Sequence, residues 1–319
     1  MNLRKYALLL LLVLWSTMAN AWTLPGIGDF AFESVTKNVY VMHGPLEEPR
    51  PENLGFMNNP GFVLSENGVI IVDPGSSLQV GEHVLAEIKK VTDKPVLAVF
   101  NTHIHGDHWL GNQAIKNAYP DVKIYGHPKM IEQANGDGGL TWIDIMSTLT
   151  KGLNKGTKVV APGNAVDNGA VIKVDGESFR IHHLSSAHTD TDIMIEHVGS
   201  KTMFLGDNSF FKRMGRFDDS SDMIGNIKAL QHARELKMNA YVPGHGKSGG
   251  ADVAITPFLD YLKKLQVSVT KGYRAEKEAH EIKKMIITDF NGYKDWSGFE
   301  DSFGKHVNKM YLEVEALEF

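Results

Sequence analysis

The chain has 319 residues, 42% of them hydrophobic, with no cysteine and a formal net charge of −5 at pH 7. That acidic balance excludes nucleic acid as a main partner, because neutralising phosphates requires a basic face. The lack of cysteine excludes disulfides and thiolate ligands together, so any bound metal must sit on imidazole and carboxylate, which favours zinc, iron or manganese.

Positions 1–21 read as a targeting segment. Arg4 and Lys5 form a basic start, Ala7 to Trp15 an apolar run, and Ala19-Asn20-Ala21 a cleavage signature. The expected mature chain begins at Trp22 and is periplasmic or secreted. It is expected to form a single domain over 22–319, with a core over about 30–250 and a helical segment over about 251–319. Without cysteine after the apolar run, lipoprotein attachment is excluded. No later apolar run reaches about 18 residues, so no membrane contact is expected after cleavage.

Phe30 to Met42 reads as strands around a Lys37-Asn38 turn. Gly61 to Leu64 and Val69 to Val72 are apolar runs joined by Glu66-Asn67-Gly68, a hairpin pattern. After Asp73-Pro74-Gly75, the spacing of Val80, Val84, Leu85, Ile88 and Val91 predicts a helix. Pro95 to Phe100 predicts a buried strand, Trp109 to Ala118 a helix and Asp121 to Tyr125 a strand. His127 to about Lys158 reads as a mobile insertion able to cover a site. Within it Asn135 to Gly139 reads as a loop and Thr141 to Leu149 as a helix. Asn168-Gly169 and Asp175-Gly176 predict hairpin turns in a strand-rich stretch ending near Leu184. Ile193 to Val198, Lys201 to Leu205 and Ala240 to Val242 predict strands, and Asp222 to Lys237 a helix. Two helices are expected over Ala251 to Phe290, divided near Lys271-Gly272, and one more from Phe299.

The chemistry concentrates in Asn101-Thr102-His103-Ile104-His105-Gly106-Asp107-His108. His103 and His105 are two apart, so an extended backbone points them the same way. Asp107 and His108 sit at the turn into the next helix and can aim at a neighbouring point. One segment can therefore feed two metal positions. It cannot close both shells, and three later places can supply the rest. These are His188 in Ser185-Ser186-Ala187-His188-Thr189-Asp190, Asp207 at the end of the apolar Lys201–Leu205 strand, and His245 in Pro243-Gly244-His245-Gly246. Singly, each has a plain reading as a turn or cap residue.

Taken in order, these motifs resemble those of the metallo-β-lactamase superfamily over roughly Val35 to Ser248. The resemblance implies an α/β fold, a four-layer αββα sandwich. It also implies that His103, His105 and His188 hold a first metal and that Asp107, His108 and His245 hold a second. Asp207 would bridge the two, while Asp73 stands behind the ligands and orients the histidine loop. An Asp at position 207, where family β-lactamases carry Cys or Ser, is similar to hydroxyacylglutathione hydrolases, lactonases and phosphodiesterases. His105 stands where flavodiiron relatives carry Glu. The Ala187-His188-Thr189-Asp190 motif departs from the Gly-His-Thr-Pro-Gly of many relatives.

The implied activity is that of a periplasmic dinuclear zinc hydrolase of an ester, thioester, lactone or amide, with a β-lactam as a secondary substrate. Two Zn2+ per chain are expected, with Fe or Mn as alternatives. Asp107 would move a proton during catalysis, and Lys212, Arg213 and Arg216 would hold an anionic part of a small-molecule substrate. Two alternatives are a mononuclear iron sulfur dioxygenase and a non-catalytic metal-binding accessory of a periplasmic quinoprotein or sulfur-oxidation system.

Overall fold

The computed structural model describes residues 27–318; the targeting segment and the proposed start at Trp22 lie outside them. The N-terminal elements are β1 (Glu33–Thr36), β2 (Val39–Val41), β3 (Gly61–Leu64), β4 (Val69–Val72), α1 (Leu78–Val91) and β5 (Val96–Phe100). They are followed by α2 (Gly106–Trp109), α3 (Asn112–Ala118), β6 (Lys123–Gly126), α4 (Pro128–Asn135), α5 (Asp137–Leu149) and β7 (Asn164–Ala165). The chain then crosses to β8 (Val171–Val174), β9 (Glu177–His182), β10 (Met194–His197), β11 (Thr202–Phe210), α6 (Met223–Glu235) and β12 (Ala240–His245). It ends with α7 (Ala251–Ala254), α8 (Thr256–Arg274), α9 (Ala279–Ile286) and α10 (Phe299–Glu318).

The strands form a seven-stranded sheet, in sequence order from β1 to β7, and a five-stranded sheet in the order β12-β11-β10-β9-β8. Period-two alternation decides what each face covers. In β4, Ile70 and Val72 turn inward with Val41, Val63 and Phe100 against Phe179, Ile181, Ile195 and Phe204 of the other sheet. Val69 and Ile71 turn outward, against Val84, Ile88 and Ile115 of α1 and α3. On the far side, Met203, Leu205 and Tyr241 pack under α6, α8 and α10. The layers are therefore helix, sheet, sheet, helix. Each fully buried Val, Leu, Ile or Phe contributes about 1.5–3 kcal/mol.

Several expectations need correction. The glycines from Asn135 to Gly139 are no loop: α4 runs to Asn135, Gly136 caps the junction, and α5 starts at Asp137. α8 runs through Lys271-Gly272 to Arg274, because the bare Gly272 lets Ile282 of α9 press against it. Asn168-Gly169 is no hairpin turn, since β7 and β8 belong to different sheets. It is the exposed passage between them. β11 does not stop at Leu205 but continues past Asp207 to Phe210, with its register against β12 shifting between Phe204 and Gly206 and again between Gly206 and Phe210. The helix expected from Trp109 begins earlier, at Gly106, and breaks before Asn112.

His306 of α10 is buried between the Tyr261 hydroxyl, 2.8 Å from its Nδ1, and the Gly215 carbonyl, 2.7 Å from its Nε2. Burial pushes its pKa down to about 4. Between about pH 6.5 and pH 4 the unfolded chain therefore binds a proton that the folded chain refuses. Stability should fall as pH drops through that window and level off below it, by about 3 kcal/mol in all from this group. Urea titrations of wild type and His306→Gln at pH 7, 5.5 and 4 should show a shallower loss in the variant.

Candidate metal centre

β4 and β5 are parallel neighbours, as are β11 and β12, so each pair releases its chain at one end. Those ends meet. Asp73 leaves β4 with φ +53°, a left-handed conformation that Asp tolerates better than most residues. Its carboxylate accepts from the Thr102 backbone N at 2.8 Å and the Thr102 hydroxyl at 2.6 Å, and it faces His108 Nδ1 at 2.8 Å. On the other side Trp109 Nε1 donates to the Ile104 carbonyl at 2.7 Å. Thr191 Oγ1 accepts from the Ile104 backbone N at 3.0 Å. The loop from Asn101 to His108 is thus held on several sides before any ion is considered.

Two cages of donor atoms result. His103 Nε2 and His188 Nε2 lie 3.8 and 3.4 Å from Asp207 Oδ2, and His105 Nδ1 lies 2.9 Å from His188 Nε2. One atom from each of these residues falls within 4.8 Å of all the others. Asp107, His108 and His245 meet the same limit as a second group. There His108 Nε2 and His245 Nε2 lie 3.4 and 3.3 Å from Asp107 Oδ2, and 3.1 and 3.3 Å from Asp207 Oδ1. Asp207 therefore turns one oxygen to each cage. All of these residues are buried.

The rear nitrogens explain which way the lone pairs point. His103 Nδ1 is 2.9 Å from Thr102 Oγ1, His245 Nδ1 is 2.8 Å from the Met57 carbonyl, and His108 Nδ1 is held by Asp73. A rear partner fixes ring orientation and leaves the opposite nitrogen to face a cation. Among the described residues His103 Nε2, His108 Nε2 and Asp207 Oδ1 are buried with no hydrogen-bond partner. Such atoms cost about 1–3 kcal/mol each, so their presence in both cages calls for ions there. Nitrogen and carboxylate donors in this number suit a divalent cation of borderline hardness.

The cages differ in charge. Burial holds His103 well below the usual imidazole range and His188 at about 3, so these two imidazoles of the first cage are neutral. Burial opposes charge on His108 and His245 too, yet Asp207, together with Asp107 and, for His108, Asp73, raises both. Burial likewise opposes ionisation of Asp107 and Asp207, and the neighbouring imidazoles overcome it and hold both well below the carboxylate range. Without an ion, the second cage is a buried cluster of paired opposite charges.

Asp73 carries one testable consequence. Asp73→Asn keeps the shape but removes the charge facing His108 Nδ1. Loss of such a backing carboxylate typically weakens metal binding 10–100-fold. Competition against a chromogenic chelator should read that drop.

Above the cages lies a cavity of about 110 Å³, walled by Asp107, Asp207, His105 and His245 below and by Trp142, Ile145, Met146 and Leu149 of α5 above. Arg213 and Arg216 line it too, whereas Lys212, exposed and turned over the Phe211 ring at 5.7 Å, does not. Lys212 thus drops out of the expected anion-holding group, because φ +52° at that residue directs it away. Arg213 is buried and bound to Glu48 Oε1 at 2.7 Å and to the Leu46 carbonyl. Trp142, 4.7 Å from the His105 ring, and Asp218, whose Oδ2 is 3.5 Å from His105 Nε2, escaped sequence reasoning. The His105 imidazole beside it and the bonds from Ser220 hold Asp218 well below the usual carboxylate range. A signal existed for the Trp, an aromatic on the helix expected inside the insertion, but none existed for Asp218 beyond its acidity.

The sequence model of the metallo-beta-lactamase superfamily matches residues 54–245. A linear primary-alkylsulfatase from a Pseudomonas species is 34% identical over 85 residues, which is 25% of this chain and 16% of that protein. A hydroxyacylglutathione hydrolase from a Nostoc species is 38% identical over 64 residues, 20% of this chain and 23% of that protein. The chain thus spans less than a quarter of either relative. Among solved structures, the stereoselective inverting sec-alkylsulfatase of a Pseudomonas species superposes with a TM-score of 0.67 at 16% identity. That superposition covers 88% of this chain and 50% of the other. The match over 54–245 spans most of the sandwich and carries every cage residue, so this chain belongs to the metallo-beta-lactamase superfamily.

Proposed function

We propose that the chain is an exported dinuclear zinc hydrolase that cleaves an ester, thioester, lactone or amide of a small molecule. The observation that carries this reading is Asp207, whose two oxygens face two separate groups of buried donors. In it, His103, His105 and His188 hold the first ion, Asp107, His108 and His245 the second, and Asp207 both. Zinc bound there supplies Lewis-acid polarisation and brings the pKa of water towards neutrality. The chain's own residues do the rest. Asp73, Thr102 and the Met57 carbonyl keep the rings in the productive tautomer. α5 excludes bulk water. Asp107 Oδ2, beside His108 and His245, takes the proton that water loses and passes it to the leaving group. Water thus divides its oxygen and one hydrogen to the acyl side and its other hydrogen to the departing alcohol, thiol or amine.

Sulfate esters and hydroxyacylglutathione belong on the substrate panel, because the relatives are named for them. The test is metal analysis followed by turnover of chromogenic ester, thioester, lactone, sulfate, phosphoester and cephalosporin, with His105→Ala as control. About two zinc per chain and turnover lost in the control support the reading. One iron per chain favours the sulfur dioxygenase instead. Two zinc with no turnover of any substrate favours the accessory protein. Export rests on Ala19-Asn20-Ala21, and intact mass of the periplasmic fraction should give a chain beginning at Trp22.

A further inference from the structure

A second cavity, of about 610 Å³, lies against the loop that follows His245. Its size falls within the roughly 300–1,000 Å³ usual for small-molecule pockets. It shares no lining residue with the cavity over the cages. Val35, Leu46 and Phe211 give it an apolar wall, and Glu33, His43 and Ser248 a polar one. Buried Asn59 joins the two loops that meet there. Its Oδ1 accepts from the Gly44 backbone N at 3.1 Å, and its Nδ2 donates to the Pro243 and Gly246 carbonyls at 2.9 and 2.6 Å. Gly249 pairs in both directions with Tyr241, at 2.8 and 3.1 Å. His43 and Ser248 are thus each fixed through a neighbour in sequence before they touch one another.

Their contact fixes the tautomer. The Ser248 backbone N donates to His43 Nε2 at 3.2 Å, and Ser248 Oγ lies 2.9 Å from the same nitrogen. An amide N–H can only donate, so Nε2 carries the lone pair and the hydroxyl donates to it as well. The ring hydrogen is then on Nδ1, which faces Glu33 Oε2 at 3.8 Å. Burial keeps His43 below the usual imidazole range, helped by Lys247 and opposed by Glu33, so the ring is free to take up a proton at neutral pH. His197, Ser200 and Glu177 bring the same side chains together at 2.8 and 2.7 Å. There Ser200 gives its hydrogen to Thr202 Oγ1 and has none for the imidazole. Among the described residues Ser248 Oγ has His43 as its polar partner, and it opens on a cavity.

The geometry points to a second active centre, with Ser248 as nucleophile, His43 as its base and Glu33 as partner of the imidazolium, acting on a carboxylic ester whose apolar acyl group fits the cavity. Ser248 Oγ bonds to the acyl carbon while its proton passes to His43 Nε2. The bond from that carbon to the alcohol oxygen breaks, and the alcohol leaves with the proton. Water then attacks the acyl-serine and gives a proton to His43, which returns it to Ser248 as the acid departs. Nothing in this sequence passes through the metal cages, so the inference stands or falls apart from the reading given to them.

The probes are diisopropyl fluorophosphate and p-nitrophenyl butyrate, applied to the zinc-loaded full chain. The fluorophosphate should add one diisopropylphosphoryl group, with loss of fluoride, to the tryptic peptide that begins at Ser248. His43→Gln should slow that labelling about 10²-fold or more, the usual worth of a general base. Glu33→Gln should slow it only about two- to fivefold, because an exposed ion pair is weak. The ester should release p-nitrophenol in a burst of about one per chain as the acyl-serine forms. That burst should vanish in Ser248→Ala and persist in His105→Ala, where the first metal cage is broken. Circular dichroism and zinc content check that the Ser248 and His43 variants fold. No label on Ser248 overturns the inference, as does labelling that is equally fast in His43→Gln or in the urea-unfolded chain. Absence of the burst overturns it too. A burst lost in His105→Ala but kept in Ser248→Ala overturns it and assigns the ester chemistry to the cages.

Discussion

Asp207→Asn should reduce bound zinc from about two ions per chain to one or fewer and cut turnover by about 10³-fold or more. The replaced carboxylate is the one group that faces both cages, with Oδ2 3.4 Å from His188 Nε2 and Oδ1 3.1 Å from His108 Nε2. Removing even a backing partner of a ligand costs 10–100-fold, so losing a shared ligand costs more. The ion-free protein suffers too, because Asp207 raises the pKa of His108 and of His245. Buried charge left without its partner typically costs 3–5 kcal/mol. Metal content after dialysis, single-turnover rates and melting of the chelated protein would measure the three effects. A variant that keeps two ions and wild-type turnover would sink the bridging role.

Gly244→Ala should come close to that loss by adding a single methyl. Gly244 sits in β12 opposite the bend of β11, and a Cβ built on it would fall on Asp207 Oδ1, with the Gly206 carbonyl carbon only 2.9 Å away. Neither can give way. Asp207 is fixed by the imidazoles on either side, and Gly206 is backbone. The bridging carboxylate must move out of line with one cage. Turnover should drop at least about 10²-fold, the range set by a displacement of about 1 Å at a reacting centre. Cobalt-substituted protein would show the change directly as an altered visible spectrum. Wild-type spectrum and rate in Gly244→Ala would mean that β11 and β12 are held less tightly than this packing implies.

Much of this was legible in the residue order, and for local reasons. Strands such as Gly61–Leu64 and Val69–Val72 announce themselves because turn chemistry and apolar runs coincide at Glu66-Asn67-Gly68. The cage residues were legible because metal binding demands specific side chains at strand ends, a demand that sequence records letter by letter. What escaped depends on distant packing. Gly272 reads as a helix end until Ile282 is seen pressing against it. The glycines near α5 read as a loop because part of what packs on Gly139, the Val159 side chain, lies far along the chain. Asp207 reads as a strand end because apolar residues give out there, while β11 carries on with ladder bonds that polar residues satisfy equally well. Lys212 and Arg213 are adjacent and alike in charge, yet a left-handed turn exposes one and buries the other.

The passage at Asp167 to Gly169 is exposed and joins the two sheets, and each cage draws from both sides of it. His103, His105, Asp107 and His108 precede it, and His188, Asp207 and His245 follow. Cut there, the chain becomes two fragments, each holding an incomplete set of donors. Zinc would then act as the glue of a split protein, and the reunion of the halves would serve as a sensor for the ion itself.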